Sequence, residues 1–370
     1  MENSKRILVA PLNWGLGHAT RCIPIIYALQ ENGFTPIIAS DGVALALLQK
    51  EFPEVEAVEL PSYKIKYAKK GKNFKLKMIW DSPKMLKAIS EEKKEVKKLV
   101  KKLSLDGIIS DNRLGVYSKK VPCVFITHQL NVLTGNTTWM STKVHQKIIK
   151  KFKECWVPDV SGNPNLSGTL GHPKNSTLNI KYLGPLSRFK KLDIPKKYDL
   201  MVLLSGPEPQ RSMLETRVLQ ELTTYNGNVL FVRGVIEQEA TSETVSFEHA
   251  TITIHNFMQS AALETAINQS DLILCRSGYT TILDLAKLEK RAFFIPTPGQ
   301  YEQEYLAKKL EEDGIVPQCE QESFTVKKLE RAKNYVGLKK FDDELDYASL
   351  FLAFSKVKEN SEPTSSTLST

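Results

Sequence analysis

The sequence predicts an α/β protein of two units, each a parallel sheet covered by helices on both faces, with a crevice between them. Three observations carry this. Short apolar runs bounded by turn residues alternate with runs of helical period along most of the chain, the pattern of parallel strands joined by helices. The alternation breaks once, at a Gly/Pro/Asn/Ser-rich stretch over residues 162–177 and a connection over 182–197, and then restarts. A chain of 370 residues is also long for a single core. The expected division is 1–185 for the first unit, 186–198 for a linker, 199–340 for the second unit, 341–358 for a C-terminal helix, and 359–370 for a Ser/Thr-rich disordered tail.

In the first unit, strands are expected at 7–10, 35–40, 55–60, 107–110, 121–127 and 155–157. Helices are expected at 21–32, where Ile25, Ile26 and Leu29 share a face before Gly33, at 43–50, and at 141–151. In the second unit, strands at 199–204, 228–232, 252–255, 272–274 and 292–296 alternate with helices at 214–222, 259–267, 280–288 and 302–312. In open sheets of this kind ligands lie beyond the carboxyl ends of the strands, so the loops there are the candidates for chemistry.

Composition narrows the classes. No run of about 18 apolar residues exists, so no segment is expected to span a membrane. The N-terminus enters a strand at Ile7 without a signal-peptide pattern, which points to the cytoplasm. The cysteines, Cys22, Cys123, Cys155, Cys275 and Cys319, are scattered, lack metal-ligand spacing and read as reduced thiols; no metal site is expected. The formal charge of +9 is concentrated in residues 64–102, where fifteen lysines face four acids and an amphipathic helix is expected over 82–103. With Tyr63, Phe74 and Trp80 interleaved, that segment suits an anionic membrane surface, and less well nucleic acid; a solvated helix face is the plainer reading.

Four loops carry candidate chemistry. Cys275-Arg276-Ser277-Gly278 follows a strand and opens a helix, where free backbone N–H groups suit phosphate. Asp284 lies one turn on and can accept hydrogen bonds from ribose hydroxyls. The loop Asn13-Trp14-Gly15-Leu16-Gly17-His18 permits close backbone approach at Gly15 and Gly17 and sets His18 at a helix mouth, as a base for an incoming hydroxyl. Ser205-Gly206-Pro207-Glu208-Pro209-Gln210-Arg211 occupies the matching place in the second unit, with Ser205, Gly206 and Arg211 as phosphate or base contacts. The loop ending in Gln303 and Glu304 offers an amide and a carboxylate to sugar hydroxyls.

Together these loops resemble the MurG-type glycosyltransferases of family 28. Cys275 to Gly278, Thr281 and Asp284 match that family's C-R-S-G…T…acid run, with Asp in place of the usual Glu. Gln303 matches the first of two sugar-holding glutamines, and Glu304 replaces the second. Phe257 and Met258 resemble the approach to the uracil pocket. The Gly15–His18 loop resembles the family's G-G-T-G-G-H, and Ser205 to Arg211 its G-G-S-Q-G-A-R with glycines replaced by prolines. His128 and Asn131 match the acceptor-side H-E-Q-N loop, but Gln129 stands where the family has Glu.

The resemblance implies a GT-B fold and a metal-independent inverting transfer of a sugar from a nucleotide donor, most simply a UDP-sugar, to an acceptor hydroxyl. No cofactor is implied beyond the nucleotide-sugar co-substrate. The acceptor is open, a lipid or cell-envelope glycan being the family's kind, and the location implied is the inner face of a membrane. His18 is the preferred base and Asp111, in Ser110-Asp111-Asn112-Arg113, the alternative. A UDP-sugar 2-epimerase shares this architecture, and a non-catalytic nucleotide- or nucleic-acid-binding protein is the rival of another class.

Overall fold

The computed structural model describes residues 4–63, 74–132, 138–235, 240–339, 341 and 345–355, with the backbone alone for 74–85. The expected alternation forms two sheets. In the N-terminal lobe, β1 (Arg6–Pro11), β2 (Thr35–Ser40), β3 (Ala57–Glu59), β4 (Gly107–Asp111), β5 (Cys123–Ile126), β6 (Glu154–Val157) and β7 (Ile180–Tyr182) pair in the order β3-β2-β1-β4-β5-β6-β7. All these pairings are parallel. In the C-terminal lobe, β8 (Tyr198–Leu203), β9 (Gly227–Val232), β10 (Ser242–Ser246), β11 (Ala250–His255), β12 (Ser270–Cys275) and β13 (Arg291–Phe294) pair in the order β10-β11-β9-β8-β12-β13.

One edge corrects the expectation of purely parallel sheets: β10 runs antiparallel to β11. Only three residues separate the two strands, too few for a crossover, so a hairpin is the available solution. Every β10 residue is exposed, so no apolar alternation announces the strand in the sequence. β7 is likewise an added edge strand, between the expected loop at 162–177 and the expected connection from 182.

The helices are α1 (Gly17–Glu31), α2 (Gly42–Glu51), α3 (Phe74–Lys102), α4 (Thr138–Ile149), α5 (Gln210–Leu222), α6 (Ser260–Asn268), α7 (Tyr279–Lys287), α8 (Tyr301–Glu312) and α9 (Tyr347–Phe351). α1 begins four residues before its expected start. Gly15, at φ +69°, turns the chain in the left-handed region, and the helix closes at once behind it. α3 starts eight residues before its expected Ser82. Its apolar face buries Ala88, Val96, Leu99 and Val100, while Lys93, Lys94, Lys97, Lys98, Lys101 and Lys102 stay in solvent. Glu92 is buried on that same face because Arg113 (Nε–Oε1 2.6 Å) and the Gly115 amide (3.0 Å) meet it.

The chain then returns to its first lobe. The expected C-terminal helix is reduced to the five-residue α9 and a 3₁₀ turn at Leu352–Phe354. Phe351 and Phe354 pack with Ile25, Ile26, Leu29 and Trp156 in the N-terminal core. Each buried phenyl contributes roughly 1.5–3 kcal/mol, enough to fasten the tail. The expected disordered tail 359–370 lies outside the described residues, as do residues 64–73 of the lysine-rich segment. All five cysteines are buried and free.

Both sheets reverse direction of growth at one point, between β1 and β4 in the first lobe and between β8 and β12 in the second. Crevices open at such points. His18, Ser205 and Ser277 lie just beyond β1, β8 and β12, and Asp111 is the last residue of β4.

Candidate active site

β1 and β4 are neighbours in register, with Pro11 beside Asp111, so the strands deliver their following loops to one spot. His18 lies in the first turn of α1 and Arg21 one turn on, on the same helix face. Asp111 is fully buried between them. Its Oδ1 lies 2.8 Å from His18 Nδ1, its Oδ2 accepts from Arg21 Nε at 2.5 Å, and Arg21 Nη2 donates to Oδ1. Burial pushes the Asp111 carboxyl up, but the Arg21 guanidinium first, and then His18 and the hydrogen bonds from both, outweigh it and hold the pKa at about 2. Burial, and then the Arg21 charge, lower the His18 pKa against the opposing pull of Asp111. The imidazole is therefore neutral at pH 7. Nδ1 also faces Arg21 Nη2 at 2.9 Å, but that guanidinium is already paired with Asp111, and the carboxylate partner assigns the imidazole proton to Nδ1 and leaves the Nε2 lone pair as a base.

This geometry corrects the alternative role for Asp111. A buried carboxylate of pKa about 2, with both oxygens engaged, does not take a proton from an alcohol. It orients His18.

A second cluster bridges the lobes. His128, just past β5, is buried and stacks on Tyr279, the first residue of α7, with ring centroids 3.9 Å apart. Its Nε2 lies 3.0 Å from Glu302 Oε1 in the first turn of α8, and Gln129 Nε2 donates to Glu302 Oε2. Burial opposes ionisation of Glu302, but His128, and after it His18 and the Gln129 amide, bring its pKa net down, so it is charged at neutral pH. Tyr279 donates its hydroxyl to the Pro158 carbonyl at 2.7 Å. The lobes approach so closely that a Cβ on Gly17 would sit 2.4 Å from Thr280 Oγ1. Gly17 thus serves lobe apposition, while Gly15 makes the turn. Asn131 is drawn away to Thr169 and Leu170 through its amide side chain and backbone N–H.

On the donor side, Gly278 is the N-cap of α7, and no side chain caps the helix. Its first-turn amides are the donors expected there. Ser277 is buried, and its hydroxyl donates to the Gln303 carbonyl at 2.8 Å, tying the starts of α7 and α8 together. Ser205 and Gly206 are exposed beyond β8, with Gly206 at φ +107°. Phe257 and Met258 follow β11 on the same carboxyl edge, Met258 packing on the C-terminal core. Thr281 is half-buried in α7.

Four of the donor-side residues also have contacts within the protein. Arg211 is engaged by Glu208 (2.6 Å), Glu215 (2.6 Å) and the Arg233 carbonyl (3.3 Å), so its charge is spent within the lobe. Asp284, placed by the sequence at ribose, accepts from Ser187 of the linker at 2.5 Å. Desolvation raises its pKa to about 6, offset in part by Ser187 and Arg188. Gln303 accepts from the Thr297 amide (2.9 Å) and donates to Gln300 (2.7 Å). Glu304 accepts from the Gly299 amide (2.7 Å). Both brace the loop in front of α8.

Two residues here have no role in the sequence reading. Arg21 is signalled by its i,i+3 spacing from His18, once the helix is known to start at Gly17. Glu302 has no such signal, because its partners lie 174 and 173 residues away.

Two facing Rossmann-like lobes with a crevice between them are the GT-B fold. Residues 210–341 match the Glycosyltransferase family 28 C-terminal domain. The chain is 26% identical to the UDP-N-acetylglucosamine--N-acetylmuramyl-(pentapeptide) pyrophosphoryl-undecaprenol N-acetylglucosamine transferase of Pasteurella multocida, over 86% of both chains. It is 25% identical to the enzyme of the same name from Haemophilus ducreyi, over 88% of both. Among solved structures, Acinetobacter baumannii MurG superposes with a TM-score of 0.55 at 14% identity, covering 88% of this chain and 89% of that one. The glycosyltransferase SnogD from Streptomyces nogalater gives 0.59 at 15% identity, covering 95% and 93%. The protein is a glycosyltransferase, with a family 28 C-terminal domain over residues 210–341 and similarity to the MurG enzymes along most of its length.

Proposed function

We propose that the chain transfers N-acetylglucosamine from UDP-N-acetylglucosamine to a hydroxyl of a lipid-linked acceptor, with inversion and in one step. The observation that carries the chemical part is the His18–Asp111 pair, a neutral imidazole held by a permanent carboxylate at the lobe interface. The relatives named above supply the donor and acceptor classes. His18 Nε2 takes the acceptor's proton as its oxygen attacks the anomeric carbon. The bond from that carbon to the diphosphate oxygen breaks, and its electron pair leaves with UDP. In this reading the amides at the start of α7, which no side chain caps, meet the departing charge.

The acceptor's lipid also gives a use for the surface of the first lobe. On α4, Trp139, Met140 and Val144 are exposed, with Lys143 over the Trp139 ring at 5.3 Å. The solvated lysines of α3 belong to the same lobe. An apolar and basic surface of this composition suits the face of an anionic bilayer. Among the described residues no helix is long and apolar enough to cross one.

The test is UDP release from UDP-N-acetylglucosamine in the presence of a prenyl-diphosphate-linked muramyl acceptor, with wild type and His18→Ala. Turnover by wild type and loss of about 10²–10⁴ in kcat for the variant support the reading. An unchanged kcat in His18→Ala removes the assigned base, and binding of UDP-sugars without any transfer removes the acceptor assignment.

A further inference from the structure

The loop between β1 and α1 leads into His18, and it is tied down by a side chain that the transfer mechanism does not use. We propose that Asn13 is a positioning residue for the transfer: it fastens residues 14–16 to α2 and to a buried ionic cluster around Arg113, so that the loop keeps one place beside His18. The inference rests on the glycosyl-transfer reading above.

Several contacts converge on Asn13. Its Nδ2 donates to Asp41 Oδ2 at 3.1 Å, and its Oδ1 accepts from the Ala44 N–H at 3.4 Å. Ala44 is the third residue of α2, and its amide is one that an N-cap side chain ordinarily takes. Asp41 is that N-cap, but its carboxylate makes no cap bond, and its Oδ1 accepts from Arg113 Nη1 at 2.7 Å. Asn13 therefore caps α2 from outside the helix. The backbone makes room for it: Gly42 stands at φ +53°, and a Cβ there would sit 2.4 Å from Asn13 Nδ2. In the G-G-T-G-G-H pattern that this loop resembles, the position of Asn13 is a glycine, so a side-chain anchor is a departure from that pattern.

The anchor is set in a rigid base. Arg113 is fully buried and donates through Nε to Glu92 of α3 (2.6 Å), through Nη1 to Asp41 after β2, and through Nη2 to the Pro61 carbonyl after β3 (2.7 Å). Tyr63 donates its hydroxyl to the other oxygen of Glu92. Opening such a cluster strands a buried charge, which is costly. The root of the loop is fixed as well: the Pro11 carbonyl accepts from Ser40 Oγ at 2.9 Å, and the Leu12 N–H donates to the Asp111 carbonyl at 2.9 Å. Asn13 is the next fixed point. Only residues 14–16 lie between it and Gly17, where α1 begins against Thr280. Without the anchor these residues pivot about Leu12. A shift of about 1 Å in the wall beside His18 displaces the hydroxyl that meets Nε2, and misplacement on that scale costs up to about a hundredfold in rate.

The test compares the full chain as wild type, as Asn13→Ala and as the swap variant Asn13→Asp/Asp41→Asn. The swap reverses donor and acceptor between the two positions, keeps an oxygen for the Ala44 amide and one for Arg113, and leaves the charge of the cluster unchanged. Steady-state UDP release should show kcat lowered about tenfold in Asn13→Ala with KM for the donor unchanged. The acid limb of kcat/KM should stay where wild type has it, since the His18–Asp111 pair is intact. The swap variant should return to within about threefold of wild type. Hydrogen–deuterium exchange needs no acceptor: amides of residues 14–17 and 42–46 should exchange about fivefold faster in Asn13→Ala and recover in the swap, with β12 and α7 unaffected. A wild-type kcat in Asn13→Ala overturns the inference while transfer keeps the activity reading standing. So does a loss that the swap fails to repair, or one accompanied by weaker UDP binding in calorimetry. If wild type transfers nothing while the exchange rates respond as expected, the transfer reading falls and the loop anchor stands.

Discussion

Two histidines meet two carboxylates in this crevice, and the pairs are built on different principles. His18 and Asp111 come from one lobe, from neighbouring strand ends whose register is fixed by the sheet. The carboxylate is fully buried and clamped by Arg21. His128 and Glu302 come from opposite lobes, and Glu302 stays one-third exposed with only neutral partners beside the imidazole. The first pair exists whenever the N-terminal lobe is folded. The second exists only when the lobes are apposed. A proton-transferring group needs preorganisation, whereas a contact between lobes can be assembled by their approach.

The largest expected effect breaks the first pair. Asp111→Asn leaves a neutral partner that no longer enforces the Nδ1–H tautomer, and kcat should fall by about 10²–10⁴ with KM for donor little changed. Glu302→Gln should cost far less in kcat with a neutral donor. If steady-state UDP release shows the two losses to be equal, the division of roles drawn here is wrong. The acid limb of wild-type kcat/KM should also lie below pH 6.5, since burial and Arg21 lower the His18 pKa and the base is lost only once it protonates. A limb above pH 7 contradicts that assignment.

The next effect concerns stability. Arg21→Met strands a buried carboxylate and should lower unfolding free energy by about 3–5 kcal/mol in urea titrations. The double variant Arg21→Met/Asp111→Asn should recover part of the loss, because the uncompensated charge is gone. An additive double variant would mean that Arg21 acts elsewhere.

A smaller effect separates lobe apposition from lobe folding. Gly17→Ala places a methyl group against Thr280 Oγ1 and should reduce kcat/KM by roughly ten- to a hundredfold through displacement of the lobes, while the melting temperature moves little. Thr280→Ala removes the colliding hydroxyl and should restore part of the activity. Failure of that rescue would show that Gly17 matters for its own backbone and not for the contact.

Much of this was legible in the chain, for reasons that differ by residue. The strands that meet at each switch point announce themselves because both faces are buried, as with Ile7 to Ala10 and Ile108 to Ser110. His18 and the Ser277-Gly278 turn are legible because glycine marks a sharp turn at a strand end. Residues whose role depends on a partner far along the chain are not. Asp284 reads as a ribose contact until the linker's Ser187 is seen against it, and Glu302 reads as an ordinary first-turn acid until the other lobe is placed. β10 was hidden for a different reason, since an edge strand exposed on every residue leaves no hydrophobic period.

Asp284 gives the smallest and most specific test, because its carboxyl belongs to neither pair. Its pKa in the folded protein is about 6, against an ordinary value of 3.8, so the native state prefers it protonated. A group shifted in this direction takes stability away as pH rises from about 4 to about 6, and the loss is complete above that window. Asp284→Asn keeps an oxygen to accept from Ser187 and removes the charge. It should therefore match wild type near pH 4 and exceed it by about 1–2 kcal/mol at pH 7.5, the figure allowing for solvent screening of a partly exposed group. Paired urea titrations at the two pH values decide it. A variant less stable than wild type at pH 7.5 would mean that Arg188 pairs with the carboxylate strongly enough to outweigh burial, and the folded pKa would then lie below 3.8.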